Sequence, residues 1–306
     1  MRIWRWWCKH GVKNVAGTIG GSFILRQLHK FYRFWGDEDP PVGSLTINSK
    51  LVLHVNPLDL RTYQKIIPEL THHTPEICLA TCLTPAGGTY LDVGANTGVL
   101  SLCALSGAAS SVHSFEPNPI MATILERTRR ANRFSSRWYI HPIALGQEVR
   151  NGHLYFDPHF SGTASLHSNW QGGGSKTVAI SMGTLDNWAH GFKPDRVDVL
   201  KIDVEGWEHP VLTGGSTLIK RQQPYICFEY NLSSMQSAGI DPDKILMTLQ
   251  IYGYTHIVDI GGLPDERRIR PESLRNLKNA RLNLLAVPDC RLRDYEIRVL
   301  EQLKTF

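Results

Sequence analysis

"YLDVGANTG", from Tyr90 to Gly98, is the stretch whose reading decides the fold. A short apolar run ends in a turn carrying Gly94 and Gly98, and "TGVLSLCALSG" (97–107) then continues with helical spacing. The cycle repeats downstream. "SVHSFEP" (111–117) precedes the helical "NPIMATILERTRRAN" (118–132), and "WYIHPIAL" (138–145) reads as a third strand. "VDVLKIDVEG" (197–206) is a buried fourth strand followed by one helix, "HPVLTGGSTLIKR" (209–221), and "PYICFEYN" (224–231) is a fifth. "YTHIVDI" (254–260) and "RLNLLAVP" (281–288) are the final strands, the second inserted antiparallel, before a closing helix in "DYEIRVLEQLKTF" (294–306). Alternating strands and helices specify a parallel sheet covered on both faces. The expectation over 90–306 is therefore an α/β, Rossmann-like doubly wound sheet, mostly parallel with an antiparallel last strand.

Upstream, "WGDEDPPVGS" (35–44) has the composition of a linker. "SLTINSKLVLHVNP" (44–57) reads as a hairpin, and "TPEICLATCLTPAGG" (74–88) as a helix stopped by Pro85 and Gly87. Residues 37–89 thus form a linker, hairpin and covering helix. Residues 1–36 are a separate basic and aromatic arm: they contain no Asp or Glu, but carry Arg2, Arg5, Lys9, Lys13, Arg26, Lys30 and Arg33 beside Trp4, Trp6, Trp7 and Trp35. Two readings of the arm stay open, a tail or helix packed on the main domain and peripheral contact with an anionic membrane surface.

Composition narrows the function classes. At 306 residues, 42% hydrophobic and 20% charged, the chain has the balance of an ordinary soluble enzyme. The net charge of +5 is concentrated in the arm, so the body has no electrostatic footprint for nucleic acid and none of its motifs. Six cysteines show neither a CxxC pair nor zinc-ligand spacing, which points to reduced thiols and a cytoplasmic location. No apolar run reaches the roughly 20 residues of a spanning helix.

The glycine loop indicates the ligand. A dinucleotide loop reads GxGxxG and rests a pyrophosphate on a helix N-terminus. Here Gly94, Asn96 and Gly98 stand two apart, with Asn96 suited to a left-handed turn position. Asp92 is expected to point into this loop, where it would repel a pyrophosphate and attract an ammonium or sulfonium group. S-adenosylmethionine carries both and no phosphate. Glu116 ends the next strand at about the 20-residue spacing of an acid that binds ribose hydroxyls.

"DVGANTG" (92–98), "SFEPNP" (114–119), "IALG" (143–146), "GTASL" (162–166), "TLDNW" (184–188) and "LKIDVEGWE" (200–208) follow in this order. Across 51–287 the chain resembles the FkbM family of S-adenosylmethionine-dependent methyltransferases. The resemblance implies a class I methyltransferase fold, S-adenosylmethionine as donor, and transfer to a hydroxyl of a small metabolite, sugar or glycan. It implies that Asp92, Gly94, Ala95, Asn96, Thr97 and Gly98 shape the methionine pocket and that Glu116 holds the ribose. Pro117, Asn118, Ala144 and Leu145 would border the adenine, and Asp203 would close the donor site. The arm has no counterpart in it.

Methylating an alcohol requires removal of a proton, which calls for a general base or a metal. Asp203 is the first candidate for base or acceptor-orienting group, with Glu205 and His209 behind it. Glu205 or Glu208 could equally cap the helix that follows. Glu229 and Asn231, ending the fifth strand on the same rim, are assigned to the acceptor pocket. Asp203 and Glu205 alone make a thin ligand set, so no metal is expected. Rival readings are an N-methyltransferase, which would show an Asn/Asp-Pro-Pro-aromatic motif after the fourth strand, an NAD-dependent oxidoreductase, and a non-catalytic donor-binding protein.

Overall fold

The structure, a computed structural model, describes residues 42–47, 51–56, 59, 61–66, 74–167, 176–262 and 281–296. The arm at 1–36, the "QGGGS" loop tip and most of the closing helix lie outside these residues.

Strands β1 (Gly43–Ile47) and β2 (Leu51–Val55) pair antiparallel, as the hairpin reading requires. Helix α1 (Pro75–Cys82) opens with proline at its first position, where a missing N–H costs nothing. Then come β3 (Thr89–Val93), α2 (Val99–Ser106), β4 (Ser111–Phe115), α3 (Pro119–Ala131) and β5 (Trp138–His141). An excursion through β6 (Ala144–Leu145), β7 (Arg150–Asp157), β8 (Phe160–Ser165), β9 (Lys176–Gly183) and α4 (Leu185–Phe192) follows. The chain returns as β10 (Val199–Ile202), α5 (Glu208–Gly214), α6 (Ser216–Gln222) and β11 (Tyr225–Asn231). It ends with α7 (Leu232–Ser237), α8 (Asp243–Ile251), β12 (His256–Asp259) and β13 (Arg281–Val287).

The main sheet has the order β12-β13-β11-β10-β3-β4-β5. β3 is parallel to both β4 and β10, whereas β13 runs antiparallel to β11 and β12, as expected from the sequence. Period-two alternation sends neighbouring residues of one strand to opposite faces. Tyr90, Val112 and Trp138 pack with Leu79, Leu102 and Leu105 on one side. Leu91, Val93 and Leu200 pack with Val211, Leu212 and Ile219 on the other. Each such fully buried side chain contributes about 1.5–3 kcal/mol. The chain builds β3, β4 and β5 in one direction and then crosses back to place β10 on the other side of β3. The switch point therefore lies between the ends of β3 and β10, beside Gly94 and Asp203.

Two expectations fail locally. "WYIHPIAL" is not one strand: it breaks at Pro142, and Ala144–Leu145 join a separate sheet of order β6-β9-β7-β8 that the motif reading did not foresee. "HPVLTGGSTLIKR" is two helices that break at Gly215, and at the end of the first Gly214 packs so closely that a Cβ there would lie 1.9 Å from the Gly146 carbonyl oxygen. The small sheet stands over the switch point and roofs the site.

Candidate functional site

The turn after β3 is left-handed at Gly94 (φ 76°), Asn96 (φ 52°) and Gly98 (φ 81°). Gly94 is obligatory, since a Cβ there would stand 1.9 Å from the Asp203 carbonyl oxygen. Asn96 tolerates its conformation because its Oδ1 accepts the Thr97 N–H at 2.9 Å, while its Nδ2 donates to the Ser161 carbonyl at 3.1 Å. The turn is thereby tied to the roof. Gly98 starts α2 against Leu125 and Trp138 and shapes the loop from behind.

Two cavities meet at this turn. One is bordered by Glu116 and Pro117 and walled by Ile143, Ala144, Leu145, Leu154, Leu166 and Trp207. The other runs along Asp92, Ala95, Thr97, Lys201 and Glu229 toward Lys65 and Glu76. Arg61, Gly94, Asn96 and Asp203 line both, so the two form one groove pinched at the switch point.

In the first cavity Glu116 is buried, with Oε2 accepting the Asn96 N–H at 2.8 Å and Oε1 accepting the Asn118 N–H at 2.9 Å. Burial raises its pKa, opposed by those two N–H groups and by Lys201. Each oxygen keeps a lone pair for a further donor. The Trp207 indole N–H is buried without a hydrogen-bond partner among the described residues, an orphaned donor in the apolar wall. An adenosine group matches this set: hydroxyls for Glu116, a flat apolar slot, and ring acceptors for an unsatisfied N–H.

The second cavity departs from expectation at Asp92. Its carboxylate is 1% exposed, with Oδ2 accepting from Ser101 Oγ at 2.6 Å and Oδ1 3.1 Å from Lys201 Nζ. Lys201 Nζ also donates to the Gly94 carbonyl at 2.7 Å. Burial works against the ammonium, but Asp92 and Asp203 outweigh it and hold its pKa above the ordinary value. The charge of Asp92 is thus spent on the floor of the loop and is not extended toward a ligand.

At the pinch, Asp203, Glu205 and Glu229 each present a carboxylate oxygen within 4.8 Å of the others. The sequence reading paired only the first two as ligands. Three cations already balance them: Lys201 and Arg61 lie 3.8 and 3.9 Å from Asp203, and Arg281 lies 2.7 Å from Glu229 and 3.7 Å from Glu205. Burial pushes Asp203 up, but Lys201, Arg61, Lys65 and Arg281 together hold it below the ordinary carboxylate value. Glu205 goes the other way, to about 8, through burial and repulsion by Asp203 and Glu229. Its Oε1 is buried without a hydrogen-bond partner among the described residues, and its backbone is left-handed at φ 52°. Such strain in a non-glycine residue needs support from its surroundings. Glu208 provides it, its Oε1 accepting the Val204 and Gly206 N–H groups at 3.1 and 3.2 Å.

Four candidates are not brought to the cavities: Gly98, which lies behind the loop, and three that turn to other partners. His209 turns toward α8, its Nε2 3.2 Å from Thr248 Oγ1. Asn231 caps α7 by accepting the Ser234 N–H, and Asn118 caps α3 by accepting the Ile120 N–H. Conversely, the sequence reading passed over Arg61, Arg281 and Trp207. Trp207 lies inside the quoted "LKIDVEGWE". Nothing local marks Arg61, which reaches the site only through the packing of the hairpin segment.

A model of the methyltransferase FkbM domain family matches residues 92–255. No curated protein matches the chain in sequence. Among solved structures, a methyltransferase FkbM from Methylobacillus flagellatus aligns at 17% identity and a TM-score of 0.43, covering 78% of this chain. The alignment spans 56% of that neighbour's own length. A SAM-dependent O-methyltransferase from Thermotoga maritima aligns at 12% identity and a TM-score of 0.37, covering 70% of this chain and 64% of the other.

Proposed function

The chain belongs to the methyltransferase FkbM domain family and is an S-adenosylmethionine-dependent methyltransferase, and from that premise we propose that it methylates a hydroxyl oxygen of a small metabolite, sugar or glycan. Its sheet, with β13 antiparallel beside β11, is the class I methyltransferase fold. In this reading residues 90–306 form the donor-binding domain, and 37–89 cover its mouth. Residues 1–36 are an arm dispensable for donor binding which, if it has a role of its own, directs the chain to an anionic membrane surface. No helix among the described residues is long and apolar enough to cross a membrane.

Glu116, Pro117, Ala144, Leu145 and Trp207 would hold the adenosine part. Gly94, Asn96 and Asp203 would hold the methionine part where it crosses the pinch. Bound there, S-adenosylmethionine supplies a methyl already activated on a sulfonium. The protein's remaining tasks are to align the acceptor and to remove its proton.

The observation that carries the hydroxyl reading is Glu205 Oε1, a buried carboxylate oxygen without a hydrogen-bond partner among the described residues, aimed at the pinch by a left-handed turn. The sequence placed Asp203 first as base. Its lowered pKa suits a permanently ionised group that orients the acceptor and balances Lys201 and Arg61, whereas Glu205 Oε1 is the better proton acceptor. A base poised near the working pH contributes most. Glu229, clamped by Arg281, borders the acceptor.

The test is donor turnover to S-adenosylhomocysteine over a panel of sugars, polyketides and hydroxylated lipids, followed by Glu205→Gln on the accepted substrate. Turnover should fall by about 10²- to 10⁴-fold, the usual contribution of a general base. Donor affinity should hold. The wild-type rate should climb as pH rises toward about 8, where Glu205 loses its proton, and the variant should lose that limb. Full activity in Glu205→Gln returns the role to Asp203, and turnover confined to amines replaces the hydroxyl reading.

A further inference from the structure

Arg61 precedes a short turn of π-helix (Thr62–Ile66) in the segment ahead of the main sheet, outside every motif of the fold. Its side chain is only 15% exposed and lines both cavities at the pinch. Among the described residues its guanidinium donates no hydrogen bond, and its one ion pair, to Asp203 Oδ2, spans 3.9 Å, too long for a hydrogen bond. Its five N–H donors thus face the two cavities without a partner among the described residues, open to water or to a ligand.

The segment is built to hold that side chain still. Asp59, 0% exposed, accepts the Arg61 N–H at 3.0 Å and the Ser161 N–H at 3.2 Å through Oδ1. Thr62 Oγ1 donates to the Asn56 carbonyl at 2.9 Å, and Asn56 Nδ2 donates to the Pro158 carbonyl at 3.2 Å. Gly162 leaves room for the guanidinium: a Cβ there would stand 3.0 Å from Arg61 Nη1. Roof and hairpin segment together fix Arg61 over the pinch.

Beside it, the Asp203 carboxylate also accepts no hydrogen bond from a described residue, its cations standing 3.8 and 3.9 Å away. A guanidinium and a carboxylate side by side, neither bonded to the other, complement a zwitterionic α-amino acid: the planar fork matches a carboxylate in two parallel bonds, and the carboxylate takes the ammonium. Asp92, the sequence's choice for the ammonium, is committed to Lys201 and Ser101. We propose that Arg61 binds the carboxylate of the donor's methionine end, with Asp203 receiving its ammonium. This rests on the donor reading given above.

The experiment needs no acceptor. Affinities of the full chain and of Arg61→Met and Arg61→Lys are measured by calorimetry for two ligands. One is S-adenosylhomocysteine; the other is 5′-methylthioadenosine, which keeps the adenosine and the sulfur but lacks the amino-acid end. Arg61→Met should weaken S-adenosylhomocysteine by about 10- to 100-fold, the range for a lost charged hydrogen bond, with Arg61→Lys in between. Both variants should bind 5′-methylthioadenosine as the wild type does. Equal losses for both ligands would make Arg61 a support of the pocket, and unchanged affinity for both would remove it from the donor site; either overturns the proposal while the donor reading stands. A wild-type chain that bound neither ligand would overturn the donor reading, and this assignment with it.

Discussion

The adenosine side of the groove and the carboxylate side are built on different chemistry. On the first, Glu116 is held by the N–H groups of Asn96 and Asn118, and the walls are apolar. Its polar contacts are to backbone, so they are fixed once the strands and turns form. On the second, four carboxylates (Asp92, Asp203, Glu205 and Glu229) face Lys201, Arg61, Arg281 and, at longer range, Lys65, all drawn from separate elements. Burial and repulsion by Asp203 and Glu229 hold Glu205 protonated up to about pH 8. The lesson is a division of labour: a backbone-built pocket binds at constant charge, while a crowded side-chain cluster is equipped to move a proton.

The sharpest way to break this contrast is Asp92→Ala. If Asp92 belongs to the framework, its loss strands the Lys201 ammonium in a buried site, and removal of one partner of a buried pair costs about 3–5 kcal/mol. The lower end is expected here, because the Gly94 carbonyl and Asp203 remain near Lys201. Urea unfolding should therefore register the substitution strongly. A variant of unchanged stability with donor affinity abolished would return Asp92 to the ligand and dissolve the contrast.

Glu116→Ala should do the reverse. Its carboxylate offers free lone pairs to the first cavity, so donor affinity should fall by about 1–3 kcal/mol, the cost of a lost charged hydrogen bond. The unfolding midpoint should move less than for Asp92→Ala. Calorimetry with S-adenosylhomocysteine measures the first quantity and denaturation the second. Loss of stability without loss of affinity would show that Glu116 serves only the Asn96 and Asn118 N–H groups.

The same contrast explains what could be read from the sequence. The adenosine side was legible because its determinants are local: Gly94, Asn96 and Glu116 are signalled by turn propensity and by position at strand ends. The parallel strands followed from strand and helix alternation, while the antiparallel β13 was a separate expectation that the sheet bears out. The carboxylate side was legible only in part. Asp203, Glu205 and Glu229 could be named from strand ends, but their roles depend on Arg61 and Arg281, which come from the hairpin segment and the last strand. His209 was misplaced for a related reason: position at a helix start does not say which way a side chain turns, and packing on α8 took it away. The roof sheet was missed because no strand was assigned between 146 and 183, although "RNGHLYF" (150–156) pairs residue by residue with β9.

The last prediction probes the junction between the two sides. Glu208 is fully buried, with Oε1 accepting two N–H groups of the turn that presents Glu205 and Oε2 unpaired. Burial first, and Asp203 further, push its pKa to about 8 from an ordinary 4.5, against the opposing backbone N–H groups. Between those values the folded chain binds a proton that the unfolded chain releases. The resulting stability is fully present below about pH 4.5 and is lost as pH rises to about 8, at up to about 1.4 kcal/mol per pH unit. Glu208→Gln keeps the accepting oxygen, places an amide nitrogen where Oε2 stood, and removes the titration. Glu205 titrates in the same direction but is common to both proteins, so it cancels in the difference. Urea unfolding at pH 5, 6, 7 and 8 should show the variant gaining on the wild type by about 1 kcal/mol per pH unit. A pH-independent difference would mean that Glu208 is ionised in the fold. The turn would then be held by its charge.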